Sequence, residues 1–188
     1  MRKNLGSLGA IFPMPVLMIG TYDKDGNIDV MNAAWGMMAD TKKVALNLTE
    51  SHKTVKNIKE TGAFTVGIAD VSHLTEADYV GIVSGNNEPN KFQKSGLTTS
   101  KSEFVNAPII NEFPVTMECK FIEYQTNENG VGVIGEIVNV SADEKVLDEN
   151  GKIIPDKIHA LIYDPFTYGY YEVGQRVGQA FNDGKKLK

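Results

Sequence analysis

Ser51, Lys53 and Thr54 bring two hydroxyls and an ammonium to the expected start of a short helix. The first turn of a helix carries backbone N–H groups without intrahelical acceptors, and the helix dipole adds partial positive charge there. Fixed N–H donors, hydroxyls and one cation are the set that a phosphate needs. A second reading makes Ser51 the N-cap and Lys53 a solvated surface residue. The S-x-K-T spacing alone is too short to choose between them.

A second constellation is Asn32-Ala33-Ala34-Trp35-Gly36. Small residues beside a tryptophan keep backbone accessible next to an aromatic wall, as a flat ring ligand requires. The competing reading places Trp35 in the core at the end of a strand.

Other chemistries find no support. His52, His73 and His159 lie far apart, without H-x-H or H-E-x-x-H spacing, so no metal site is expected. There is no G-x-S-x-G and no G-x-G-x-x-G after a strand. Asp164-Pro165 reads as a turn. No catalytic side chain is assigned, and any catalysis would draw on an organic cofactor.

The elements that must position these residues follow from periodicity. Val44, Leu46 and Leu48 alternate with polar or small residues as a half-buried strand, and Phe64, Val66 and Ile68 form another. Between them Lys53 to Glu60 reads as helix, with Val55 and Ile58 on one face and Gly62 as its stop. Upstream, Val16 to Thr21 and Asn27 to Met31 make a hairpin about the turn Asp23 to Gly26. Downstream, Leu74 to Val83 is weakly helical, Ser84 to Asn90 is loop, and Lys91 to Lys94 is one helical turn stopped near Gly96. Val115 to Thr126 and Val131 to Val140 pair through Asn127-Glu128-Asn129-Gly130, and Ile158 to Tyr163 is a last strand. The segment from Tyr168 to Phe181 carries four aromatics and is expected to pack on something, such as a second subunit. Many short strands with few helices predict a mainly β (α+β) chain, one antiparallel barrel with helices outside.

Composition sets bounds. The 188 residues, 41% hydrophobic, suit a single domain over 1–188. Nineteen basic against 24 acidic residues give a net charge of −5, which argues against nucleic acid or an anionic membrane as partner. Cys119, the only cysteine, shares a strand face with Val115, Met117 and Phe121 and reads as a small buried hydrophobe. It agrees with a reducing compartment. The apolar stretch from Leu8 to Ile19 is broken by Pro13 and Pro15, too short to span a bilayer, and followed by no small-residue cleavage site. A cytoplasmic protein is expected.

Taken in order, N-A-A-W-G after a hairpin, L-T-E-S-H-K-T before a helix ending E-T-G-A-F, then S-G, N-K-F and V-G-Q-R-V-G-Q-A-F, the sequence resembles the flavin reductase-like, FMN-binding split-barrel family, and within it the flavoredoxin group. The likeness runs from about Phe12 to the C-terminus. It implies a six-stranded antiparallel Greek-key split barrel, a homodimer, and FMN near the dimer interface. Asn32, Ala33, Ala34 and Trp35 would lie against the isoalloxazine ring, largely through backbone groups. Thr49, Ser51, Lys53 and Thr54 would hold the phosphate and ribityl chain, and Ser84, Gly85, Asn90, Lys91 and Phe92 would complete the pocket. Two departures stand out. Many relatives place a basic residue, then His, then Thr, whereas here His52 precedes Lys53, leaving open which one faces the phosphate. Many also carry a hydroxyl near Ala34. The resemblance implies either an NAD(P)H-dependent flavin reductase or an electron carrier serving a redox protein partner without NAD(P)H. A flavin-binding protein without turnover is the third reading.

Overall fold

The computed structural model describes residues 1–127 and 130–187. The first half of the chain forms β1 (Met14–Pro15), β2 (Leu17–Tyr22), β3 (Ile28–Ala33), β4 (Gly36–Asp40), β5 (Lys43–Leu48), α1 (Lys53–Thr61), β6 (Ala63–Ile68) and α2 (Leu74–Ile82). The second half forms α3 (Lys91–Ser95), β7 (Thr99–Lys101), β8 (Pro108–Ile110), β9 (Val115–Asn127), β10 (Gly130–Ala142), β11 (Leu161–Asp164) and β12 (Gly169–Glu172). The turn expected over Asn127 to Gly130 includes two residues outside the described ones.

Buried alternation makes β2 the spine of the fold. Consecutive strand residues point to opposite faces, yet Val16, Leu17, Met18 and Ile19 are all buried. Leu17 and Ile19 join Leu46, Phe64, Val66 and Cys119 in one core, closed by Val55 and Ile58 of α1. Val16 and Met18 join Val30, Val80, Phe92, Ile110 and Leu161 in a second core on the other face. A strand covered on both faces must read as a continuous apolar run, and β2 does. Cys119 is fully buried, and burial, helped by Glu118, pushes its thiol up to about 12.

The main sheet corrects the six-stranded expectation. It has seven antiparallel strands in the order β3-β2-β6-β9-β10-β5-β4, and it is not closed into a barrel, because β3 and β4 remain as edges. The additional strand is β4, whose Met37 and Met38 are both exposed. No apolar alternation marks it, and it exists through its backbone ladder with β5. In the same way the aromatic segment after Tyr168 begins as β12, pairing with β11, which in turn pairs with β1.

The two edges are joined by Ala34 and Trp35 alone. Three Cα steps separate Ala33 from Gly36, a reach of at most about 11 Å. The sheet must therefore curl until its first and last strands nearly meet. A side chain at Gly36 would collide with Leu17 of β2 and Leu46 of β5, strands from opposite halves of the sheet. The Ala34–Trp35 joint thus lies at the split in the curled sheet.

The crossover from β5 to β6 carries α1 past β9 and β10 in the sheet order. Gly62 ends the helix in a left-handed conformation, its N–H bonded to the Ile58 carbonyl at 2.9 Å. His52, rather than Ser51, is the N-cap residue, and its side chain caps nothing. The last strand also shifts from its expected range: β11 is Leu161–Asp164, while Ile158 packs with Val115 and Val146.

Candidate functional site

A cavity of about 400 Å³ opens beside the split, within the size range of small-molecule sites. Its walls are β3 with the Ala34–Trp35 joint, the start of α1, and the stretch from Val80 to Gly85. Of the residues expected at a site, Asn32, Ala33, Ala34, Trp35, Thr49, Lys53, Thr54, Ser84, Gly85 and Lys91 line it. Ser51, Asn90 and Phe92 lie outside the lining. The Ser51 carbonyl instead accepts a hydrogen bond from Asn86 Nδ2 at 2.8 Å. Asn90 precedes α3 on the surface, and Phe92 packs in the second core.

One end of the cavity is charged. Lys91 is 4% exposed, and its Nζ donates to the Val80 carbonyl at 3.2 Å and stands 3.4 Å from Asp29 Oδ1. Thr54, also buried, donates its hydroxyl to Asp29 Oδ2 at 2.7 Å. That hydroxyl proton is committed inside the protein, so Thr54 offers a ligand its backbone N–H at the helix start rather than its side chain. Lys53 lines the cavity with its Nζ 3.7 Å from Asp23. Gly85 packs directly onto this end: a Cβ there would strike Asp29 and crowd the Lys53 side chain.

His52 completes this end. Its Nδ1 is buried and has no hydrogen-bond partner. Burial first, then the Lys91 ammonium, hold its pKa below the ordinary imidazole value, with Asp29 pulling the other way. Burial likewise lowers Lys91, opposed by Asp29 and reinforced by Lys53. An unpartnered ring nitrogen, helix-start N–H groups and two ammonium groups, each paired with a carboxylate, form a donor-rich charged end that fits an anionic group such as a phosphate.

The other end is aromatic and more open. Trp35 is 57% exposed, so it is not a core residue. Its ring lies 6.3 Å from that of Tyr163, which lies 6.1 Å from Tyr170. The Trp35 carbonyl accepts the Asn47 N–H at 2.8 Å, fixing the joint to β5. Tyr170 donates its hydroxyl to Asp78 at 2.8 Å, and burial together with that contact pushes its phenol up to about 12. Asn32 spends its amide on the Ala77 carbonyl of α2 at 2.8 Å. What remains towards the cavity from Asn32 to Ala34 is backbone and small side chains.

Several lining residues were not singled out from the sequence: Asp29, Asn47, Tyr163 and Tyr170. Asp29 alternates with Ile28 and Val30, so periodicity assigns it to a solvent face. The face is instead covered by Thr54 of α1 and Lys91 of α3. Tyr163 and Tyr170 come from β11 and β12, far along the chain from β3 and α1, and no local pattern assigns them to this cavity. Asp164 ends β11, and its side chain holds the turn that follows, accepting the Phe166 N–H at 2.8 Å and the Thr167 hydroxyl. Among the described residues no group of three or more His, Cys, Asp or Glu could hold a metal. No helix among them is long and apolar enough to cross a membrane.

Comparison with known proteins agrees with this architecture. The chain is 36% identical to the flavoredoxin of Desulfovibrio vulgaris (Miyazaki F), with a TM-score of 0.92 over 98% of this chain and 100% of that one. It is 26% identical to the flavoredoxin of Methanosarcina acetivorans, with a TM-score of 0.91 over the whole of both chains. A split-barrel protein from Shewanella frigidimarina shares the fold at a TM-score of 0.80 and 23% identity, over 90% of this chain and 87% of that one. The sequence model of the flavin reductase-like domain matches residues 8–172. The chain therefore belongs to the flavin reductase-like family.

Proposed function

We propose that this cavity holds FMN and that the chain is an FMN-dependent oxidoreductase of the flavin reductase-like type. The observation that carries the reading is the polarity of the cavity. FMN is a flat ring joined by a chain to one phosphate, and the cavity has an aromatic end and a charged, donor-rich end. Lys53, Lys91 and the start of α1 would hold the phosphate, while Trp35 and the backbone of Asn32 to Ala34 would border the ring. One anion-binding end without a glycine-rich pyrophosphate loop favours FMN over FAD.

When bound, the flavin supplies the electron-accepting chemistry that no side chain of the cavity provides. The chain's own residues bind and orient. Asn47 fixes the joint that carries Trp35, and Asp78 keeps the Tyr170 hydroxyl proton in place at the aromatic end. The open side at Trp35 leaves room for an electron donor such as NAD(P)H to approach. A second reading, an electron carrier serving a protein partner without NAD(P)H, is favoured by the 36% identity to a flavoredoxin.

A homodimer is part of the proposal. Tyr168 is 79% exposed, and Val177 and Phe181 are each 99% exposed in the single chain, apolar surface that a second copy would cover.

Releasing the ligand from purified protein by denaturation, followed by chromatography, tests the cofactor. FMN is expected; recovery of FAD in preference to FMN from protein equilibrated with both contradicts the reading. Anaerobic mixing of the flavin-loaded protein with NADH or NADPH then separates the two functions, since only the reductase bleaches the flavin.

A further inference from the structure

Asp29 is placed where a phosphate-binding site has least use for it. It is 3% exposed, on the cavity lining, with one carboxylate oxygen on the Thr54 hydroxyl and the other 3.4 Å from the Lys91 ammonium. These are two of the donors nearest the start of α1. The other cation of this end, Lys53, also has a carboxylate, Asp23, at 3.7 Å. Each ammonium is therefore matched by an internal anion. Gly85 lets the loop after α2 close over Asp29, since any side chain there would strike the carboxylate.

We infer that Asp29 is a specificity-determining residue that acts as an internal competitor of the ligand's phosphate, holding affinity for FMN down and the flavin exchangeable. The inference rests on the FMN reading of the cavity. A phosphate reaching Lys91 meets an ammonium already shared with Asp29, and it lies within a few ångströms of a buried carboxylate. Like charges in a poorly solvated site repel strongly, and bulk water does not screen them. Riboflavin carries no phosphate and does not feel this repulsion.

The replacement Asp29→Asn keeps the size of the side chain and an oxygen for the Thr54 hydroxyl; it removes the negative charge and turns an amide NH2, in place of an acceptor, toward Lys91. Wild-type and variant apoproteins are titrated with FMN and with riboflavin, following flavin fluorescence. Asp29→Asn is expected to bind FMN at least tenfold more tightly than wild type, with riboflavin affinity unchanged within about twofold. Its FMN affinity should also fall more steeply with added salt, because an uncompensated cation now faces the ligand. Unchanged or weaker FMN binding with riboflavin unchanged overturns the inference, because Asp29 is then neutral or a support for the phosphate. Equal weakening of both flavins overturns it as well, since Asp29 is then structural. A wild-type protein that binds neither flavin contradicts the FMN reading itself, a distinct result. Should Asp29→Asn not fold, the pair Asp29→Asn/Lys91→Gln leaves no lone charge in the core. It is compared with Lys91→Gln alone, and must bind FMN more tightly for the inference to stand.

Discussion

The two ends of the cavity are built on opposite principles. The charged end is buried and crowded: Lys91, Asp29 and Thr54 are each less than a tenth exposed and are bonded to one another. The aromatic end is open, with Trp35 more than half exposed and held chiefly through its backbone. At the first end a single charge changes the energy by several kcal/mol, because desolvated ions are costly unless paired. At the second end contact area decides, and each ring contributes modestly. On the proposed reading, the first end discriminates among ligands and the second supplies general affinity for flat rings.

Breaking the charged end has the largest expected effect. Lys91→Ala leaves Asp29 as a buried carboxylate without its cation and should cost about 3–5 kcal/mol of stability. Urea denaturation of the apoprotein reads this directly, and a loss below about 1 kcal/mol shows that the pair is already solvated. Trp35→Ala tests the opposite end. It should weaken FMN and riboflavin equally, by about 0.5–1.5 kcal/mol, with little change in stability because the side chain is exposed. A loss confined to FMN would put the phosphate beside Trp35 and reverse the assignment of the two ends.

The smallest effect concerns Tyr170. Its phenol is pushed up to about 12 in the folded chain, against about 10 for a free tyrosine. Between those values the folded state keeps a proton that the unfolded state loses, so stability is full below about pH 10 and declines as pH rises toward 12. Phenolate absorbance should show one tyrosine titrating last, and Tyr170→Phe should remove that step. If the step lost in Tyr170→Phe lies at about pH 10 instead of about 12, the phenol is not held as its burial and the Asp78 contact require.

Legibility in the sequence followed the same division. The start of α1, its stop at Gly62 and the small residues before Trp35 carry local signals, a polar junction and a break in periodicity. These were readable. Asp29 was not, because strand alternation cannot tell a face covered by helices from one facing water. Nor was β4, whose exposed methionines break alternation and whose only hold is a backbone ladder. The count of sheet strands failed at that point. Ser51 shows a subtler limit: its residue type suits a cap, but the chain enters the helix one residue later, through His52.

Lys53→Ala tests most directly whether the start of α1 receives the phosphate. Lys53 lines the cavity, and removing its charge should cost about 1.5–3 kcal/mol of FMN binding, roughly tenfold to hundredfold in affinity. Fluorescence titration with FMN and riboflavin should show that loss for FMN alone. An equal loss for both ligands, or no loss for FMN, would mean that the phosphate does not sit at this helix.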